Sequence, residues 1–176
     1  MTHANQSTMH TVRRLVVPLG QPYGDAVRRF EQLVPNVDTA RFSELDNWDA
    51  VVELADKEAP FGFMRYGTLH VRELMTGSQA GWDCVQYLMG NHVIAERMFR
   101  HDPAVMLHAP LRVLIQADQS GQAVFVIDQP STLFSSYGNA DIAAVGRDLD
   151  DKVAGVLVAL GAEAPRVLTE HAPASG

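Results

Sequence analysis

Cys84-Val-Gln-Tyr-Leu-Met-Gly-Asn-His92, then Ala109-Pro-Leu-Arg-Val-Leu-Ile-Gln-Ala117, then Ala123-Val-Phe-Val-Ile-Asp128 is the stretch that decides the fold. Cys84 to Met89 carries β-formers, and Gly90-Asn91 breaks the strand and opens a helix. On that helix Ile94, Ala95, Met98 and Phe99 form an apolar face, while His92, Glu96 and Arg100 stack on a polar edge at i, i+4, i+8 spacing. Asp102-Pro103 ends the helix and starts a turn, with Asp102 as cap and proline at the first helical position. Leu111 to Ala117 and Ala123 to Asp128, joined through Asp118-Gln-Ser-Gly-Gln122, read as a hairpin. Both strands are nearly continuous in apolar residues, which suits burial on both faces, or on one face plus a subunit contact.

Working outward, Thr11 to Val17 reads as a strand closed by Pro18, and Gly20 to Gly24 as a turn. Ala26, Val27, Phe30, Leu33 and Val34 recur at helical spacing before Pro35. Asp46 or Asn47 can cap a helix carrying Trp48, Val51, Val52, Leu54 and Ala55, whereas Asn36 to Leu45 gives no clear pattern. Phe63 to Met75 reads as one strand, hairpin-paired with Cys84 to Met89 through the turn Thr76 to Gly81. Asn139 can cap a long helix with Ile142, Val145, Leu149, Val153, Val156, Leu157 and Leu160 inward and Arg147, Asp148, Asp150, Asp151 and Lys152 on a solvated side. The expected architecture is a single α+β domain over residues 11–161. It has an antiparallel or mixed sheet of four to five strands covered by helices, a disordered lead-in at 1–10 and a flexible tail at 162–176.

Length and composition agree with one core: 176 residues, 47% hydrophobic and 20% charged. The net charge of −7, with the basic residues scattered, argues against nucleic acid or an anionic membrane as partner. Cys84 is the single cysteine, so an internal disulfide and a cysteine-based zinc site are excluded, and nothing beside it marks a reactive thiolate. No run approaches ~20 apolar residues and Met1 to Met9 is polar, so a cytoplasmic protein is expected. The two lysines, Lys57 and Lys152, sit among acidic residues, which disfavours Schiff-base chemistry. Arginine preferred over lysine, with abundant alanine, suits a GC-rich bacterial genome.

From Gln86 onward the chain resembles the domain-of-unknown-function 302 family. The matching residues are Tyr87-Leu-Met-Gly-Asn91, Phe99, Pro103, Ala109-Pro-Leu-Arg-Val-Leu-Ile115, Gly121, Asp128-Gln-Pro130 and the terminal helix through Leu160. The resemblance implies a small α+β domain, often a homodimer, without an assigned chemistry. Two departures stand out: Asn91-His92 where the family commonly has Asn-Pro, and a segment from Asn36 to Tyr66 unlike the shorter family pattern. The second suggests a remodelled pocket wall.

His92 is the sharpest candidate for chemistry, because an imidazole titrates near neutral pH and a helix N-terminus favours its neutral form. Glu96, one turn on, could orient it; the plainer alternative is a surface His92–Glu96 hydrogen bond. Arg112 interrupts an apolar strand, so it needs a ligand anion or a partner such as Asp128 or Glu73. Tyr87, Tyr66, Asn91 and Trp82 complete the candidate substrate contacts, although aromatic residues in strands are usually core. His70, His101 and His108 could join His92 in a metal or haem site, yet no ligand spacing supports one, and His101 is more simply a partner for a helix C-terminus. Ser78 does not sit in a nucleophile elbow, and no phosphate-binding glycine loop is present.

Three functions follow, the first ranked slightly above the second. The protein is a small-molecule-binding, cofactor-independent acid/base enzyme of isomerase, cyclase or lyase type, with His92 as base and Arg112 or Tyr87 holding an anion. Alternatively it is a non-catalytic homodimeric binding or accessory protein. The third reading is a haem or metal protein using His92 or His108.

Overall fold

The computed structural model describes residues 7–170. The expected single α+β domain is present, and its sheet is antiparallel throughout: five strands, β1 (Arg14–Pro22), β2 (Met64–His70), β3 (Cys84–Gly90), β4 (Leu111–Ala117) and β5 (Gln122–Asp128), in spatial order β1-β5-β4-β3-β2. β2 to β5 form a meander. β1 enters on the far side of β5, so the chain between β1 and β2 crosses from one edge of the sheet to the other. That crossing holds α1 (Tyr23–Leu33), α2 (Thr39–Ser43) and α3 (Trp48–Glu58). Then follow α4 (Val71–Leu74), α5 (His92–Phe99), a 3-10 turn at Pro103–Leu107, α6 (Pro130–Phe134) and α7 (Ala140–Ala159).

Several elements depart from their sequence-based bounds. β1 runs through Pro18 to Pro22, which an edge strand permits because its outer side has no ladder to complete; Gly20, at φ +63°, takes up a register slip. The strand expected over Phe63–Met75 stops at His70 and continues as α4. The unreadable segment after Asn36 contains α2, whose start is set by the Asp38 carboxylate accepting from Arg41 N–H at 3.1 Å. Residues 1–6 and 171–176 of the expected lead-in and tail lie outside the described residues. The rest of the tail docks: Pro165 to Thr169 makes a turn, Leu168 is fully buried, and Val167 C=O accepts from Gln129 Nε2 at 2.9 Å.

Strand alternation puts Leu15, Val17, Val85, Tyr87, Met89, Val113, Ile115, Phe125 and Ile127 on one face, where α1, α5 and α7 close the main core over them. Phe30 of α1 lies between Tyr87 and Phe125, ring centroids 4.7 and 6.2 Å away. The expectation of a sheet covered by helices holds for this face only. On the other, Val16 is 60% exposed, Arg112 is exposed and Leu114 and Val126 are partly so.

Two helix-face assignments need correction. Phe99, expected in the core, is 50% exposed at the end of α5. Asp150, expected on the solvated side of α7, is completely buried. Its two oxygens accept from Ser131 N–H at 2.9 Å and Gln129 Nε2 at 2.6 Å, pinning α7 to the start of α6. A buried carboxylate is tolerated when its lone pairs are filled in this way.

Asp150→Ala leaves the Ser131 and Gln129 donors without that carboxylate and should cost about 2–4 kcal/mol in urea unfolding. Asp148→Ala, which breaks only the exposed Arg97–Asp148 pair at 2.7 Å, should stay within about 1 kcal/mol.

Candidate functional site

The site is built where β3 ends. Gly90 lies against Pro110, whose peptide bond with Ala109 is cis; a Cβ at position 90 would stand 3.0 Å from Pro110 Cβ and 3.2 Å from its Cα, so a larger residue would have to push the two segments apart by a few tenths of an ångström. Asn91 opens α5 as expected and also caps it: its Oδ1 accepts from Val93 N–H at 2.9 Å and Ile94 N–H at 3.4 Å. The other half of the same carboxamide donates to Gly62 C=O at 3.2 Å, tying the α5 start to the loop before β2.

That anchoring brings Tyr66 and His92 together. Tyr66 Oη accepts from the His92 backbone N–H at 3.1 Å and lies 2.6 Å from His92 Nδ1. With one lone pair given to the backbone N–H, the hydroxyl still has its own proton to place, and Nδ1 is the acceptor in reach. The assignment that satisfies both groups is therefore a neutral imidazole with its proton on Nε2. Burial lowers the His92 pKa from its ordinary value and raises that of Tyr66, which keeps the imidazole neutral and the phenol protonated. Phe42 of α2 meets the imidazole edge to face at 4.5 Å between centroids.

Beneath α5 these residues line a pocket of about 130 Å³. Tyr66, Asn91 and His92 are its polar contribution; Phe63, Ile94, Met98, Met106, Phe134 and Leu149 are among its apolar walls, and no carboxylate among the described residues lines it. It is half-open.

Of the sequence candidates, His92, Tyr66 and Asn91 converge here and the others do not. Glu96 pairs with Arg100 instead of orienting His92. Tyr87 is wholly buried in the main core, where its hydroxyl donates to Glu31 at 3.0 Å, and burial beside that carboxylate drives its pKa far upward. Arg112 stands on the opposite face of the sheet, and neither Asp128 nor Glu73 pairs with it: Asp128 is held by Arg14 at 2.9 Å. Trp82, 56% exposed in the loop before β3, lines neither the pocket beneath α5 nor the groove on the opposite face of the sheet. Cys84 is half-buried, and burial raises its pKa, in keeping with an unreactive thiol. His92 and His108 line different pockets, and among the described residues no group of three or more His, Cys, Asp or Glu could hold a metal. His101 Nε2 lies 3.8 Å from Asp141 at the start of α7. Phe42 was missed; the Asp38-Thr39 helix start was the signal that could have placed it.

An open antiparallel sheet with its main helical core on one face and a small pocket under a capped helix defines a pocket-bearing α+β domain. The family model for the domain of unknown function DUF302 matches residues 41–160, and the chain belongs to that family. The match takes in much of the segment, Asn36 to Tyr66, that looked foreign to the family pattern. Among solved structures, an uncharacterized conserved DUF302 protein from Bacillus stearothermophilus is similar in fold at TM-score 0.62 and 13% identity, over 84% of this chain and 97% of that one. No curated protein matches. Among the described residues no helix is long and apolar enough to cross a membrane.

The lowered His92 pKa has a signed consequence. The unfolded chain takes up the proton first, near pH 6.5, so this group's contribution to stability is complete above that value and falls as pH drops toward the lower folded pKa. Urea midpoints measured from pH 7.5 to 5 should decline in that window, and less steeply in His92→Gln. His108, whose pKa is also lowered, acts in the same direction, so the double variant with His108→Gln should be flatter still.

Proposed function

We propose that this protein binds a compact organic molecule beneath α5, of about the bulk of one six-membered ring and carrying one hydrogen-bond acceptor such as a carbonyl. The observation that carries this is the 2.6 Å contact between Tyr66 Oη and His92 Nδ1. It occupies one imidazole nitrogen and leaves Nε2–H as a donor to the ligand. The pocket volume of about 130 Å³ is close to that of an apolar cavity that takes up benzene, about 150 Å³. A porphyrin is too large for it, which weighs against the haem reading at His92.

This changes the role first assigned to His92. A general base needs an unprotonated nitrogen facing the substrate, and with Nδ1 engaged by Tyr66 the neutral ring offers a proton instead. Any catalysis here is polarisation of a bound carbonyl by Nε2–H, as in enolisation, with the proton acceptor supplied by substrate or water. Binding is the reading the pocket supports best, and isomerase or lyase chemistry requires that second group.

Cyclohexanone, a ring with one acceptor, and toluene, a ring with none, test it by nuclear magnetic resonance titration. Cyclohexanone should shift His92, Tyr66 and the Met98 methyl, and His92→Phe should weaken it about tenfold, the scale of one hydrogen bond. Toluene should bind more weakly than cyclohexanone and be insensitive to His92→Phe. Equal binding of cyclohexanone to both proteins would remove His92 as the donor, and no shift with either probe would remove the pocket as a ligand site.

A further inference from the structure

On the open face of the sheet a groove of about 710 Å³, within the usual range for a ligand site, is floored by β1, β5 and β4 and walled by Leu107 of the 3-10 turn and by His108 just after it. Its floor is patterned in rows across the strands. Val16, Val126 and Leu114 stand side by side in register, an aliphatic row of which Val16 is 60% exposed. Two residues along, some 7 Å away by strand geometry, Arg14 faces Asp128, and Arg112 occupies the next position of that row on β4.

The charges in that second row do not balance. Arg14 Nε holds the Asp128 carboxylate at 2.9 Å, and Arg112 has no hydrogen bond or ion pair to any described residue. Among the described residues Asp128 is the single acidic one lining the groove, while His10 and His108, ring centroids 6.3 Å apart, stand at its wall. The groove thus carries a positive excess on a chain of net charge −7. A free guanidinium beside an aliphatic row is complementary to a molecule with a planar anionic head and an apolar tail.

We propose that this groove, which shares the Pro110–Leu111 wall with the pocket under α5 but opens on the other face of the sheet, is a second binding site for an amphipathic carboxylic acid whose carboxylate pairs with Arg112 and whose alkyl chain lies along Leu114, Val126 and Val16. Octanoate and 1-octanol, which share the tail and differ in the head, are the probes. In titrations followed by amide shifts, octanoate should move Arg112, Leu114 and Val126, and 1-octanol should bind about tenfold or more weakly, the scale of a charge-assisted hydrogen bond. Arg112→Gln, an exposed and conservative change, should weaken octanoate about tenfold. Ala95→Phe, which fills the pocket under α5, should leave octanoate binding unchanged while abolishing cyclohexanone binding, so the two sites fail or survive separately. Equal affinity for both probes, indifference to Arg112→Gln, or loss of octanoate binding in Ala95→Phe would overturn the assignment. So would light scattering showing a stable dimer that Val16→Asp dissociates, since a second copy would then occupy this face.

Discussion

The carboxamide of Asn91 is the contact on which the pocket depends. One residue joins three pieces of chain: its oxygen holds the first turn of α5 and its nitrogen holds Gly62 ahead of β2, while its own backbone continues β3. With the helix start fixed, the His92 N–H points at Tyr66 Oη rather than at water, and the imidazole is held beside the same hydroxyl. Remove the cap and the Tyr66–His92 pair loses its geometry, because neither ring is held by its own strand or helix alone. The donor on Nε2 is therefore a property of the β3–α5 junction, with the histidine as its outermost part.

A second constraint acts on the other side of the core. Gln129 links β5 to the docked C-terminal segment and to Asp150, and its Oε1 accepts from Arg13 at 3.0 Å. This polar knot lets α6 and α7 close over the sheet without leaving an unsatisfied side chain; among the described residues no buried side-chain polar atom lacks a partner. One face is thereby sealed, while the floor of β1, β5 and β4 keeps its charged and aliphatic rows in contact with solvent.

The sheet, its hairpins, the helix start at Asn91 and the caps at Asp102 and Asn139 were legible because each rests on local chemistry: alternation of apolar residues, a turn residue, a short side chain bonding to its own helix. Some misreadings had a local signal that pointed the right way. Tyr87 shares its strand face with Val85 and Met89, which places it in the core. Asp150 falls in the stripe Gly146, Asp150, Val153, Leu157 at spacings of four, three and four, which turns it inward. Glu96 had two i±4 neighbours, and the permanently charged Arg100 outcompetes a neutral imidazole. The Tyr66–His92 contact had no local signal. It arises from the β2–β3 register, which slips between Arg65 and Gly67 and so sets where Tyr66 reaches relative to the helix 26 residues later.

That slip has a counterpart on the opposite border of the sheet. β1, which carries Pro18, shifts register before Pro22, and β2 shifts beside Tyr66, so both outermost strands are irregular. A regular border strand offers a row of free N–H and C=O groups on which another chain can lengthen the sheet, the usual first step of ordered aggregation. Here each border strand carries one register irregularity, and β1 also carries a proline without a donor, features that disfavour growth strand upon strand even though one broad face of the sheet stays wet.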